Sequence, residues 1–242
     1  FEKAFADFKN ATPNDVFIVY LAGHGVSLNL NQNPNQPAGD TYFYLTQEAT
    51  TTDKSVLSIE NSRKAMAISS EELKDLMKQN KALKQVLVLD TCAAGALSNS
   101  LVAKRDLPSD QIRAIERLKD NTGFYVLMGS SADAVSYEAS QYGQGLLTYS
   151  LLQGMKGAKL RENQFADVSL LFGYAQETVP NMAKNIGGIQ RPLIITPDNS
   201  ASFDIGKFTT DEQKLISLSN PKPLILRPTL QNREQDFDDL EL

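Results

Sequence analysis

A single cysteine and a single histidine occur in the 242 residues of this chain. One cysteine excludes an intrachain disulfide, so the fold does not depend on oxidation. One cysteine with one histidine also leaves too few soft ligands for a zinc site, and no metal is expected. Basic residues are in deficit, 24 Lys and Arg against 29 Asp and Glu, for a net charge of -5. That balance excludes the basic face of a nucleic-acid module. The longest apolar runs are strand length, well short of a membrane span, and no signal-like segment opens the chain. Cytoplasmic residence is the resulting expectation. The chain has no initiator Met and opens at Phe1 inside a helical pattern, as expected of a processed product or a piece of a longer protein.

What is there has an ordinary soluble composition, 41% hydrophobic and 22% charged. Phe1, Phe5 and Phe8 fall at helical intervals within residues 1–10. Residues 15–22 (DVFIVYLA) read as a central strand, broken by Gly23-His24-Gly25. Residues 28–40 read as a polar loop. Residues 41–45 read as a short strand in a small hairpin outside the main sheet, and residues 46–66 are polar and poorly patterned. Ser69 with Glu72 fits a capping box ahead of a helix through Leu73, Leu76 and Met77. A second strand covers residues 85–90, and a charged, moderately helical stretch follows it. Residues 124–129 form a third strand. Helices are expected over 146–155 and 165–182, the latter ending near Pro180, and a fourth strand over 192–196. Strands alternating with helices indicate an α/β layer architecture with a mainly parallel central sheet flanked by helices. The pattern weakens after about Asp204. We therefore expect one domain over residues 1–205 and an extension or linker over 206–242 with an acidic end, a solvated tail rather than a packed element.

The lone histidine and the lone cysteine each close an apolar run, DVFIVYLAGHG and QVLVLDTCAAG. Open parallel sheets place their active sites at the carboxyl ends of core strands. A thiolate attacks a carbonyl, and free cysteine titrates near ~8.5, so Cys92 needs a base at neutral pH. His24 can act as that base and then protonate the leaving amine. Two parallel strands linked by the helix near residues 69–80 bring the pair together. Gly25 and Cys92 can present backbone N–H groups to a developing oxyanion. Period-2 alternation puts Asp90 on the same side as Cys92. Its carboxylate either selects a cationic substrate side chain or orients His24.

YLAGHG (residues 20–25) and LDTCAAG (residues 89–95) resemble the histidine and cysteine motifs of the caspase-like cysteine peptidases. The Asp two before Cys92 and the Gly three after it are closer to metacaspases and bacterial orthocaspases than to animal caspases. FYVLMGSSADAVSYE (124–138) is similar to the family's next core strand and substrate-side loop, and GQGLLTYSLLQGMKG (143–157) to its glycine-led helix. The resemblance covers residues 5–205 and implies a caspase-like three-layer sandwich. It implies an endopeptidase with a His24–Cys92 dyad, a thioester acyl-enzyme, and Asp90 with Ala22 in the pocket for Arg or Lys. Ser130, Ser131 and Asp133 would line the cleft. Self-processing would fall among Lys104, Arg105, Arg113, Arg117 and Lys119. No cofactor is implied, although the eukaryotic branch often needs calcium. The partners implied are protein or peptide substrates with Arg or Lys at the cleavage site. The family's catalytic domain normally begins with one or two strands before the first helix here, so a further partner would be such an N-terminal segment, or fused regulatory domains. The alternative is a catalytically silent caspase-like scaffold that binds a partner.

Overall fold

Two strands organise the molecule, a computed structural model that describes residues 1–30, 40–93, 124–129, 142, 144–186, 188–197 and 201–218. They are β1 (Val16–Asn29) and β4 (Lys84–Ala93), paired in parallel from Val16↔Lys84 to Gly25↔Ala93. β4 is apolar from Val86 to Leu89, where both faces are covered. On β1 Phe17 and Val19 are buried, while Ile18 and Tyr20 on the other face are exposed. Val86 and Val88 are buried on one side of β4, and Leu87 and Leu89 on the other. The first helix, α1 (Glu2–Asp7), packs Phe5 edge-on against Phe17 of β1.

The sheet has six strands in the order β3-β2-β1-β4-β5-β7. Here β2 is Asp40–Leu45, β3 is Ala67–Ser69, β5 is Tyr125–Met128 and β7 is Leu193–Ile195. β5 runs parallel to β4, whereas β2 and β7 run antiparallel to β1 and β5. β3 is antiparallel to β2, so four of the six strands share one direction and the sheet is mainly parallel.

One face packs on α5 (Leu146–Gln153) and α6 (Val168–Asn185) through Leu147, Leu171, Phe172 and Val179. The other face packs on α4 (Ser70–Lys78), whose Leu73 and Met77 meet Phe17, Val19, Leu87 and Leu89. This is the expected sandwich of helices about a sheet. A two-stranded sheet, β6 (Phe165–Asp167) with β8 (Asp204–Lys207), and the short helix α7 (Thr210–Leu215) flank it. Leu218 packs on the α5/α6 core, so packed structure continues beyond residue 205.

The capping box forms as read. Ser69 accepts the Glu72 N–H at 3.1 Å, and the Glu72 carboxylate accepts the Ser69 N–H at 2.8 Å. Ser69→Ala is expected to cost about 1 kcal/mol. A domain of this size should then lose about 2–4 °C in thermal midpoint, measured by circular dichroism.

Four local readings change. β1 does not break at Gly23-His24-Gly25 but continues to Asn29. β2 belongs to the main sheet, paired with β1 from Gly25↔Tyr44 to Asn29↔Asp40. Residues 46–66 hold two short helices, α2 (Lys54–Leu57) and α3 (Glu60–Met66). Their Leu57 and Met66 close a third core with Val26, Leu28, Phe43 and Leu45. In the helix expected over 165–182, residues 165–167 are strand, Asp167 caps Leu170, and α6 passes through Pro180 to Asn185. Burial of Val179 and Ala183 on either side of the proline holds it helical against the lost hydrogen bond.

Candidate active site

The parallel part of β1 ends at the rung Gly25↔Ala93, and the rung before it pairs His24 with Cys92. Neighbouring strands lie about 4.8 Å apart, so the sheet sets these two residues side by side although they are distant in sequence. Two rungs earlier, Ala22 faces Asp90. β4 outruns β5, whose last paired rung is Leu89↔Met128. Beyond it, Asp90 to Ala93 have only β1 as a strand neighbour among the described residues. That leaves a rim at the carboxyl end of the parallel strands, where such sheets open a crevice. Ala22, Gly23 and His24 are solvent-exposed along it.

The glycines beside His24 are there for close approach as much as for a turn. A Cβ on Gly25 would lie 2.3 Å from the Tyr42 hydroxyl. That hydroxyl is buried and hydrogen-bonded to Thr91 Oγ1 at 2.5 Å, directly before Cys92. Gly23 takes φ +148°, outside the range of ordinary residues, with the Tyr44 ring against it. The Tyr44 hydroxyl donates to the Ala22 carbonyl at 2.8 Å. Two tyrosines of β2 thus brace the backbone on both sides of the His24–Cys92 rung. This is why a glycine pair sits within a strand instead of ending one. Gly25 is buried in the sheet, with Ala93 on one side and Tyr44 on the other, rather than at a free strand end.

Asp90 is held from the helix that follows β5. The N-cap of α5 is Gly145, which has no side chain to offer. Asp90 supplies the missing acceptor from the neighbouring strand. Its Oδ2 receives the Thr148 backbone N–H at 3.2 Å and the Thr148 hydroxyl as well. An anion at a helix N-terminus is stabilised by the free N–H groups there. Burial nevertheless pushes the Asp90 carboxyl above the ordinary carboxylate range, and the two Thr148 donors pull the other way. The Tyr20 hydroxyl joins the group, 2.5 Å from Thr148 Oγ1. Burial also raises the Tyr20 phenol, with the Asp90 charge adding to the rise and Thr148 opposing it.

A Cβ on Gly145 would sit 2.6 Å from Asp90 Oδ2. Gly145→Ala is therefore expected to displace the carboxylate and cost about 1–3 kcal/mol by overpacking. Alanine is also a poorer N-cap than glycine. The check is a drop in thermal midpoint that is much reduced in an Asp90→Ala background, where the obstructing oxygen is gone.

The rim thus gathers His24, Cys92, Asp90 and Ala22 from two strands. Ser130, Ser131, Asp133 and the basic residues Lys104, Arg105, Arg113, Arg117 and Lys119 lie outside the described residues, as does the acidic end of the chain. Sequence reading missed Thr148, Tyr20, Tyr42, Thr91 and the packing role of Gly145. Hydroxyl residues on a helix and a strand carry no periodic signal of their own, and only the tertiary contact marks them. Among the described residues no cluster of three or more His, Cys, Asp and Glu could hold a metal ion. None of their helices is long and apolar enough to cross a membrane.

A family model described as the caspase domain matches residues 1–203. The chain belongs to the caspase domain family. Its mixed sheet flanked by helices is the caspase-like fold, and membership makes it a relative of the caspase-like cysteine peptidases. Comparison with curated proteins finds no match. Among solved structures, the caspase domain is similar to a protein from Geobacter sulfurreducens known from a crystal structure. The two are 14% identical, with 82% of this chain and 73% of that one covered and a TM-score of 0.48.

Proposed function

We propose that this caspase domain is a cysteine endopeptidase of the metacaspase or orthocaspase kind that cuts peptide bonds after Arg or Lys. The observation that carries the reading is the rung His24↔Cys92, two positions along from Ala22↔Asp90. His24 takes the proton of the Cys92 thiol, and the sulfur attacks the scissile carbonyl. The tetrahedral oxyanion is met by the Cys92 N–H, and the Gly25 N–H would join it only where the pairing at Gly25 opens. Collapse breaks the C–N bond, and the amine leaves with the proton held on His24, so that a thioester remains. Water, deprotonated by His24, hydrolyses that thioester and returns the thiol.

Asp90 sets which bond is presented. A carboxylate two rungs from the nucleophile, opposite the small side chain of Ala22, pairs with the cation of the residue whose carbonyl is attacked. Desolvation makes that pairing selective, since an uncharged side chain would leave the anion buried and unmatched. Self-processing is proposed at Lys104, Arg105, Arg113, Arg117 or Lys119, in the segment between β4 and β5, with Ser130, Ser131 and Asp133 along the cleft. The remaining partners are peptide substrates and the chain's own flanking regions, in a cytoplasmic setting. No cofactor is invoked in these steps, and calcium would act as an activator.

A fluorogenic peptide ending in Arg tests the reading, with the intact chain compared against Cys92→Ala. Turnover is expected from the first and not from the second. Equal rates from both would overturn the peptidase assignment.

A further inference from the structure

We propose that Thr148 and Tyr20 are positioning residues for substrate specificity, a two-hydroxyl chain that aims the Asp90 carboxylate at a cationic substrate side chain. The inference rests on the peptidase reading and deepens it by adding the residues that act through Asp90.

The direction of the chain follows from proton counting. An ionised carboxylate only accepts, so the Thr148 hydroxyl spends its one proton on Asp90 Oδ2. Thr148 Oγ1 is then left as an acceptor, and the Tyr20 hydroxyl beside it must be the donor. Tyr20 donates to Thr148, which donates to Asp90, and the Thr148 backbone N–H donates to the same oxygen. Among the described residues every hydrogen bond to Asp90 ends on Oδ2. Oδ1 lies between Gly145 and the buried Gly129, where a Cβ would come within 3.1 and 3.3 Å of it, and takes none of these bonds. Bonds to one oxygen fix the plane of the carboxylate, and that plane decides whether a guanidinium or ammonium meets an oxygen or misses it. Tyr20 reaches Thr148 from β1 and Thr148 reaches Asp90 from α5, so the strand steadies the hydroxyl that holds the carboxylate.

The chain also bears on protonation. Burial disfavours the Asp90 anion, and the Thr148 donors offset part of that penalty. Removing the hydroxyl raises the carboxyl further, so the anion needed for a basic substrate is lost at a higher pH than in the parent protein. Among the described residues, the groups facing Asp90 on the packed elements are few. On β1 they are Tyr20 and His24, and along β4 Cys92 lies two positions on. α5 contributes the neutral Thr148, and the stretch before β7 brings the Gln190 amide to Gly129, with Arg191 next in sequence. His24 and Cys92 would act on any substrate, basic or neutral. A neutral substrate therefore isolates Asp90 from them.

The test uses the full chain and two peptides differing only at the cleaved residue, Arg or its neutral isostere citrulline. The ratio of their kcat/KM values is followed from pH 5 to 9. Thr148→Val is expected to move the acid limb of that ratio up by about one pH unit, so the Arg advantage at the acid end falls about tenfold and returns at alkaline pH. Tyr20→Phe should shift it in the same direction by less. Thr148→Ser, which keeps the hydroxyl, should restore the parent profile. An unmoved acid limb in Thr148→Val overturns the proposal, as does an equal loss on both peptides, which would mean a structural role only. The Asp90 carboxyl carbon, titrated by NMR and assigned through Asp90→Asn, gives a readout independent of turnover. Its midpoint should rise in Thr148→Val, and an unchanged midpoint overturns the hydroxyl chain. A parent protein that cleaves neither peptide overturns the peptidase reading and the specificity role together, while the carboxyl titration still decides whether the hydroxyls act on Asp90.

Discussion

Replacing Cys92 with Ala is expected to lower kcat/KM on an Arg peptide by at least about 10⁴-fold, and His24→Ala by a similar factor. The two residues share one rung of the β1/β4 ladder and would act on one proton and one bond. Their effects should therefore not add. Once the nucleophile is gone, the base has nothing to activate, and the double variant should be no slower than Cys92→Ala. Additive losses would indicate that His24 acts on something other than Cys92. His24 is exposed at the rim, so His24→Ala opens no cavity and should leave the thermal midpoint near that of the parent. Initial rates on the fluorogenic peptide, with circular dichroism melts of all four proteins, check both statements.

Loss of charge at position 90 is the second large effect, and it needs two variants to read. Asp90→Ala removes the carboxylate and with it the acceptor for the Thr148 N–H and hydroxyl at the start of α5. The helix then loses its borrowed cap, worth about 1 kcal/mol, in addition to any effect on substrate. Asp90→Asn keeps an acceptor oxygen and removes only the charge. Truncating one partner of a buried charge pair costs about 2–5 kcal/mol. At about 1.4 kcal/mol per factor of ten, kcat/KM on Arg and Lys peptides should fall by roughly 30- to several-thousand-fold in Asp90→Asn, with a small change on a neutral peptide. Its thermal midpoint should exceed that of Asp90→Ala. A retained preference for basic residues in Asp90→Asn would place the specificity pocket elsewhere and leave Asp90 as a helix cap.

Much of this site lies in short sequence signals because the physics behind them is local. A short β-branched and Leu run such as QVLVLD reads as a strand buried on both faces, and Val86 to Leu89 are buried on both faces. A Ser69–Glu72 spacing satisfies two orphan N–H groups whatever surrounds it, and the capping box forms. The strand ending expected at Gly23 failed for a comparable reason. Glycine marks either a break or a close contact, and nothing local distinguishes them. The contact at Gly25 is made by Tyr42, which reaches it through the β1/β2 pairing. Residues 46–66 looked unpatterned because α2 and α3 are single short helices with one buried side chain each, too brief for a period to show.

By itself the sequence determined the types of the main strands and helices, their alternation, the family motifs around His24 and Cys92, and the location of Asp90 two residues before the cysteine. These depend on spacing along one chain, where backbone geometry repeats every 2 or 3.6 residues. The tertiary structure alone decided that His24 and Cys92 share a rung, that Ala22 lies opposite Asp90, and that β1 runs on to pair with β2. It alone decided that Thr148 bonds the Asp90 carboxylate and Tyr20 bonds Thr148. Those relations join residues from β1, β4 and α5, whose meeting is set by burying both faces of one sheet, and that is a property of the whole core.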